Sequence, residues 1–314
     1  MQPSPIAMPT ALFTPARLSV GLALPIQAEG RRDVDVSAQL ALARQADALG
    51  FDALWVRDVP LNHPDYPDPV GHPDPWVFLG ALASHTQRIH LATGAIVLTL
   101  RHPLHIAKGA RSVAALAPGR LVLGLGSGDR PPEYAAFGVD GDARRERYRQ
   151  HWGQLAAALA EPADVRPAQP SSPPVHFDLG PRLDAAVPLL AVGSAGQSVD
   201  WIARHAIGWM TYHREPEVQR DRHAMWRAAV ARVAGDGFRG FGVAMRLWLA
   251  EARARPAEPA ELGYRTGPLA LIDILHGLRE LGAHHVSLNL ADTARAPADV
   301  IAQLASDVLP HVRE

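Results

Sequence analysis

From Leu18 onward the chain alternates short apolar runs with longer stretches in which apolar residues recur near helical spacing. The apolar runs are Leu18 to Pro25, Asp52 to Val56, Ile89 to Val97, Arg120 to Leu125, Val187 to Val192, Gly208 to Tyr212, Phe241 to Ala250 and His285 to Leu290. Between them the spacing predicts helices over Asp33 to Leu49, Pro75 to His85, Pro103 to Leu116, Asp142 to Leu159, Ser198 to His205, Glu215 to Val233, Gly267 to Leu281 and Pro297 to Leu309. Regular strand–helix alternation calls for a parallel sheet. Eight such units in 314 residues fit a single closed (β/α)8 TIM barrel, with a doubly wound open sheet as the competitor. On this reading residues 1–17 are a loose N-terminal extension and residues 18–314 form the barrel.

Three stretches interrupt the alternation: Val59 to Asp74, Glu161 to Ala186 and Ala252 to Tyr264, all rich in proline. Long irregular segments in a compact domain tend to be lids or excursions. The first and third follow strands, so both are expected over the C-terminal mouth, where barrel active sites form. The middle one follows a helix and reads equally well as a surface excursion.

Composition narrows the chemistry. The chain is 47% hydrophobic and 20% charged with a formal net charge of −1, an ordinary globular balance that offers no basic surface for nucleic acid or anionic membrane. It has no cysteine, which removes disulfides, thiolate metal sites, iron–sulfur clusters and thiol nucleophiles. No apolar run approaches the length of a membrane span, and the first 17 residues hold four prolines without a signal-like apolar core. A cytoplasmic location is expected.

Small residues gather at consecutive strand ends: Thr93-Gly94-Ala95, then Gly126-Ser127-Gly128-Asp129, then Gly193-Ser194-Ala195-Gly196-Gln197-Ser198. Such ends let backbone rather than side chains approach a flat or phosphorylated ligand. Asp129 stands where a dinucleotide fingerprint needs its third glycine, and Leu125 occupies the first glycine position of a nucleophile elbow, so neither motif is present. The Gly193–Ser198 stretch precedes a helix and reads as an anion site, although Ser198 serves equally as a simple N-cap. Arg144, Arg145 and Arg147 open the helix after the Gly126 turn and could supply a guanidinium to the same anion.

His63, His72, Asp65, Asp68 and Asp74 crowd one loop, but a proline-rich loop fixes ligand geometry poorly and no metal is expected. His284 and His285 open a strand and read as packing or surface residues. His102, at a strand end, is the histidine placed nearest the mouth, with His213 second. Trp76, Trp209, Tyr212 and the loop residue Tyr66 are candidates for an apolar substrate pocket.

Ala48-Leu49-Gly50-Phe51-Asp52, Asp58, Asp74-Pro75-Trp76, Thr86-Gln87-Arg88-Ile89, Pro118-Gly119-Arg120, Glu133-Tyr134, Phe137-Gly138 and Gly208-Trp209, in this order, resemble the bacterial luciferase-like family of flavin-dependent oxidoreductases from Leu18 to about Leu309. The resemblance implies reduced FMN seated in the barrel mouth, used with O2 on a small organic substrate and reduced by a separate flavin reductase. A deazaflavin serves in related branches, which makes a hydride-transferring dehydrogenase the alternative, with a flavin-binding protein lacking turnover as a further one. Thr93, Gly94 and Ala95 would lie along the isoalloxazine, and the Gly94–Ala95 bond falls where relatives often hold a non-proline cis peptide. Phosphate would sit between the Ser127 turn, Arg145 and the Ser194–Ser198 segment. Many relatives carry a histidine after the acid at the second strand's end, where this chain has Val59; Asp58 and His102 remain as candidate catalytic groups. Relatives are commonly homodimers.

Overall fold

Eight parallel strands close on themselves, and the computed structural model describes them within residues 10–15, 17–27, 33–63, 70–163, 165, 177–290 and 295–313. Around the ring run β1 (Ser19–Leu24), β2 (Ala53–Val56), the pair β3 (His90–Thr93) and β4 (Ile96–Val97), β5 (Leu121–Gly126), β6 (Leu189–Val192), β7 (Gly208–Tyr212), β8 (Gly240–Leu249) and, after a hairpin described below, β11 (His285–Asn289), which pairs with both β8 and β1. β3 and β4 are two halves of one barrel strand, broken at Gly94–Ala95, and both pair with β5. The fold is a (β/α)8 barrel.

The outer layer contains α1 (Val36–Leu49), α2 (Pro75–His85), α3 (Pro103–Leu116), α4 (Pro131–Ala136), α5 (Arg144–Leu159), α6 (Val199–His205), α7 (Pro216–Ala234), α8 (Pro268–Glu280), α9 (Pro297–Asp307) and the short α10 (Leu309–Val312). Six of them, α2, α3, α4, α7, α8 and α9, open on proline, whose fixed φ and missing N–H cost nothing at a first helical position. Asp47, at the end of α1, accepts three backbone N–H groups, from Gln87, Arg88 and Ile89 at 2.7, 3.1 and 2.8 Å, and so fixes the entry to β3.

A short helix and a two-stranded hairpin escaped the sequence pattern. α4 follows β5 directly, and a hairpin of β9 (Glu258–Ala260) and β10 (Gly263–Thr266) occupies the stretch read as an irregular linker. β8 is long enough to fork: residues 242–246 pair with β11, while residues 246–249 pair with β10. The hairpin thus extends the sheet at the mouth end. The ends of the proline-rich middle insertion are tied to α3, through Lys108 Nζ to Gly180 O (2.7 Å), Arg111 Nε to Pro181 O (2.8 Å) and the Arg111–Glu161 ion pair. Residues 64–69 and 166–176, and with them Asp65, Tyr66 and Asp68, lie outside the described residues.

The barrel floor is filled from an unexpected direction. Leu12 and Phe13, in the segment read as a loose extension, are each 1% exposed and join Ala53, Trp55, Ala92, Val122, Leu190, Ile207 and Met210 in the lumen. A Cβ on Gly240 would lie 2.4 Å from the Phe13 ring, so the glycine is what admits the plug. Above it, Trp55 donates its indole N–H to His285 Nε2 (2.8 Å), which leaves Nδ1 to donate to Ser19 Oγ (2.7 Å), and Ser19 in turn donates to Leu12 O (2.7 Å). Burial holds His285 down to about 3, with His90 adding to the effect, so its ring is a neutral packing element.

Candidate active site

Alternation along the strands identifies what faces the lumen. Ala53 and Trp55 of β2, Ala92 of β3, Val122 of β5, Leu190 and Val192 of β6, Met210 of β7 and Ala244 of β8 belong to the inner cluster, while their neighbours pack under the helices. Carrying that alternation to the C-terminal ends places Ala23, Arg57, Gly94, Gly126, Val192, Tyr212, Arg246 and Asn289 around the mouth, one from each strand. All but Gly126 are at least partly exposed, although the residues beside them in the sheet are mostly buried. The lumen is therefore closed below and open above.

One wall of the mouth is bare backbone. A Cβ on Gly124 would lie 1.9 Å from Thr93 O, and one on Gly126 would lie 3.0 Å from the Ala95 Cβ, so β3 and β5 approach closely only because these positions lack side chains. The Gly94–Ala95 peptide is cis. Thr93, expected along a bound ring, is fully buried and donates its hydroxyl to Gly124 O at 2.7 Å, while Gly94 and Ala95 are part-exposed.

Asp58 fixes that surface. Its N–H donates to Ala95 O (3.2 Å), its Oδ2 accepts from Val97 N (3.0 Å), and Arg101 grips both carboxylate oxygens at 2.7 Å. Arg101 also reaches Asp74 Oδ2 at 3.1 Å, while Asp74 Oδ1 caps α2. The Asp58 side chain is fully buried, with its oxygens committed to these partners. His102 caps α3, its Nδ1 accepting from Leu104 N (3.2 Å), and its ring is exposed.

A second feature lies between β6 and α6. Gly193, Ala195 and Gly196 all have φ between 48 and 71°, which coils the segment and leaves the N–H groups of Ser194, Ala195 and Gly196 without partners among the described residues. Successive N–H groups in such a coil make an anion-binding concavity. Gln197 joins α5 to it, donating to Arg145 O (2.9 Å) and accepting from Arg149 Nε (2.5 Å). Arg145 is exposed beside the segment, with its Cγ 3.4 Å from where a Gly196 Cβ would stand. Ser198 Oγ caps Trp201 N (3.2 Å). Trp209 Nε1 holds Gly193 O (2.9 Å). Ser127 O accepts from Thr99 Oγ1 (2.7 Å) and from the Tyr134 hydroxyl, which fixes the Ser127-Gly128 turn, while Asp129 is exposed beyond it.

The aromatic candidates divide. Tyr212 is at the mouth and 50% exposed. Trp76 and Trp209 are not: Trp76 lies against Gly109 between α2 and α3, and Trp209 faces outward onto Trp226 and Phe241, because inward-facing Met210 follows it. His213 is buried beneath Tyr264 of the hairpin, ring centroids 5.0 Å apart, and burial holds it down to about 4. Sequence reasoning missed Arg57, Arg246 and Trp248. Trp248 lies between the guanidiniums of Arg246 and Arg265, 4.9 and 4.6 Å from its ring centroid. Strand parity, once Trp55 is known to face inward, would have found Arg57. His72 is held down to about 3 by burial first and then by Arg57 and Arg130. No cluster among the described residues could hold a metal ion, and no helix among them is long and apolar enough to cross a membrane.

Comparison with known proteins places this geometry. An uncharacterized protein of Mycobacterium tuberculosis is 32% identical over 201 residues, covering 57% of this chain and 68% of the relative. An F420-dependent glucose-6-phosphate dehydrogenase of Beutenbergia cavernae is 38% identical over 132 residues, but these cover only 40% of this chain and 37% of that one. Among solved structures, a monooxygenase from Streptomyces bottropensis has the same fold with a TM-score of 0.76 at 19% identity, covering 94% of this chain and 99% of that one. The FMN complex of the oxygenating constituent of 3,6-diketocamphane monooxygenase from Pseudomonas putida has a TM-score of 0.71 at 14% identity, covering 94% and 98%. A family model described as luciferase-like monooxygenase matches residues 8–295, and the chain belongs to that family.

Proposed function

We propose that the chain is an oxidoreductase that seats reduced FMN in the barrel mouth and uses it with O2 to oxidise a small organic substrate. The reading rests above all on the wall at Gly94 and Ala95, part-exposed backbone with no side chain larger than a methyl, which suits the face of a tricyclic ring. The coiled Gly193–Ser198 segment, with Arg145 alongside and the Ser127 turn nearby, would hold the ring's phosphate tail. When bound, reduced FMN would supply the electrons for oxygen activation. The chain's part is to fix the ring against Gly94–Ala95 through Asp58 and Arg101, and to exclude water with the floor closed and the rim narrowed by Tyr212 and Trp248. We assign Asp58 and His102 to this supporting role, because the carboxylate is committed to Arg101 and Val97 and the imidazole to capping α3.

Hydride transfer with a deazaflavin is the second reading, supported by the names of relatives such as the F420-dependent dehydrogenase of Beutenbergia cavernae. Removing hydride from an alcohol also needs a base for the hydroxyl proton. Val59 stands at the expected histidine position, which removes one candidate proton-transfer group from either reading.

Titration of the purified protein with FMN and with F420, each followed by ring fluorescence, tests both. Saturable FMN binding without F420 binding supports the first reading; exclusive F420 binding moves the assignment to the second, and binding of neither removes both. A separate reductase, a homodimeric state and a cytoplasmic location belong to the same proposal.

A further inference from the structure

Three consecutive carbonyls are engaged along the coiled segment between β6 and α6. Gly193 O accepts from Trp209 Nε1 (2.9 Å), Ser194 O from the Gln197 backbone N–H (2.8 Å) and Ala195 O from Gln197 Nε2 (3.0 Å). Each shares a trans peptide with one of the N–H groups of Ser194, Ala195 and Gly196. Across a trans peptide the N–H points opposite to the C=O, so every anchored carbonyl aims its own N–H away from the anchor. Gln197 supplies two of the three anchors. It is 6% exposed beneath the exposed Ser194 and Gly196, so the segment rests on a buried amide. Ala195 needs that support most, because its φ of 48° is a conformation that L side chains rarely adopt.

A glutamine amide can be seated in two orientations, and Arg149 decides between them. Its Nε donates to Gln197 Oε1 at 2.5 Å, which turns Nε2 toward two acceptors, Ala195 O and Arg145 O (2.9 Å). The reverse orientation would set Oε1 against those two oxygens. Arg149 is also placed by Trp201, its guanidinium 6.0 Å from the ring centroid. The contacts thus run from α5 through one amide to the peptide at Ala195.

We infer that Gln197, oriented by Arg149, is the positioning residue that holds this segment in its anion-binding form and so sets the preference for a phosphorylated flavin. The inference rests on the flavin-dependent reading, which seats the phosphate tail at this segment. The Gln197 side chain does not meet the phosphate, because its oxygen is committed to Arg149 and its nitrogen to Arg145 O and Ala195 O. Without it, the Ala195–Gly196 peptide is free to turn, and a carbonyl oxygen would face the anion in place of an N–H. Riboflavin has the same ring and no phosphate, so it is indifferent to that turn.

The test titrates FMN and riboflavin by ring fluorescence into the wild type, Gln197→Leu, Arg149→Met and the double variant. The wild type is expected to bind FMN at least about 10-fold more tightly than riboflavin. Gln197→Leu, which changes no charge, should cut that preference to within about 3-fold while riboflavin affinity stays within about 2-fold. Gln197→Asn, too short to bridge Arg149 and Ala195 O, serves in its place if the leucine variant does not fold. Arg149→Met should lower the preference in the same direction, and the double variant should lose no more than Gln197→Leu alone, because Arg149 acts through the amide. Equal affinity for the two flavins in the wild type, a preference that survives Gln197→Leu, a parallel loss of riboflavin binding, or additive losses in the double variant overturns the inference. Binding of neither flavin fails the flavin-dependent reading instead. The anion-binding role of Gln197 is then read from inorganic phosphate titrated into the flavin-free protein: the amide resonances of Ser194, Ala195 and Gly196 should shift saturably in the wild type and not in Gln197→Leu. Shifts that are absent, or alike in both proteins, overturn that role.

Discussion

Arg101 holds Asp58 through two parallel bonds, Nε to Oδ2 and a terminal amino group to Oδ1, both 2.7 Å. The carboxylate is fully buried and the guanidinium is 27% exposed, so the pair sits at the edge of the interior and links the ends of β2 and β4. Arg101→Met removes one partner of a largely desolvated pair and should lower stability by about 2–4 kcal/mol in urea unfolding. FMN affinity should fall with it, because Val97 and Ala95 lose their anchor. A midpoint and a Kd both matching the wild type would count against this role.

Arg145→Ala tests the phosphate end of the proposed site. Arg145 is exposed beside Gly196, so its loss should leave stability nearly unchanged. A charged hydrogen bond to phosphate is worth about 1.5–3 kcal/mol, which corresponds to an FMN Kd raised roughly 10- to 150-fold. An unchanged Kd in fluorescence titration removes Arg145 from the site.

Gly124→Ala should be poorly tolerated. The added methyl would lie 1.9 Å from Thr93 O and 2.9 Å from a Val192 methyl. Overpacking of this kind costs about 1–3 kcal/mol or more. Thermal unfolding measures it, and a melting temperature equal to the wild type's would show that β3 and β5 can separate without cost.

His285 predicts an acid-labile floor. Its native value, about 3, lies below the 6.5 of an unfolded histidine, so the unfolded chain binds the proton first. Its contribution is complete above pH 6.5 and declines as pH falls from 6.5 toward 3, by at most about 1.4 kcal/mol per pH unit. His213 and His223, both held near 4, add slope of the same sign. Urea unfolding at a series of pH values should show the decline, and His285→Gln should flatten part of it; an identical slope in the variant would clear His285 of the effect.

Much of the barrel could be read from sequence because its helices announce their starts. Pro75 behind the capping Asp74 and Pro103 behind His102 gave α2 and α3 their observed bounds. The six-residue α4 opens on Pro131-Pro132 and is too short for periodicity to emerge. β9 carries Pro259 between Glu258 and Ala260, which reads as linker until the hairpin partner is known. The site was harder for a physical reason. Strands of a parallel barrel are buried on both faces, so Trp209 and Met210 look alike in sequence, and only the closed ring shows that Met210 faces the lumen while Trp209 faces the helices. Arg57 was hidden by the same ambiguity. The backbone geometry was more legible: glycines at Gly94, Gly126, Gly193 and Gly196 mark where chains approach or coil, a local requirement that shows directly in residue type.

Leu12 and Phe13 stopper one end of the lumen, and that has a kinetic consequence. A tube open at both ends allows reactants and products to pass independently; a blind one imposes a queue. Whatever goes deepest must come in first and depart last, so if the proposed flavin site holds, binding should follow a compulsory order with the ring at the head of the line.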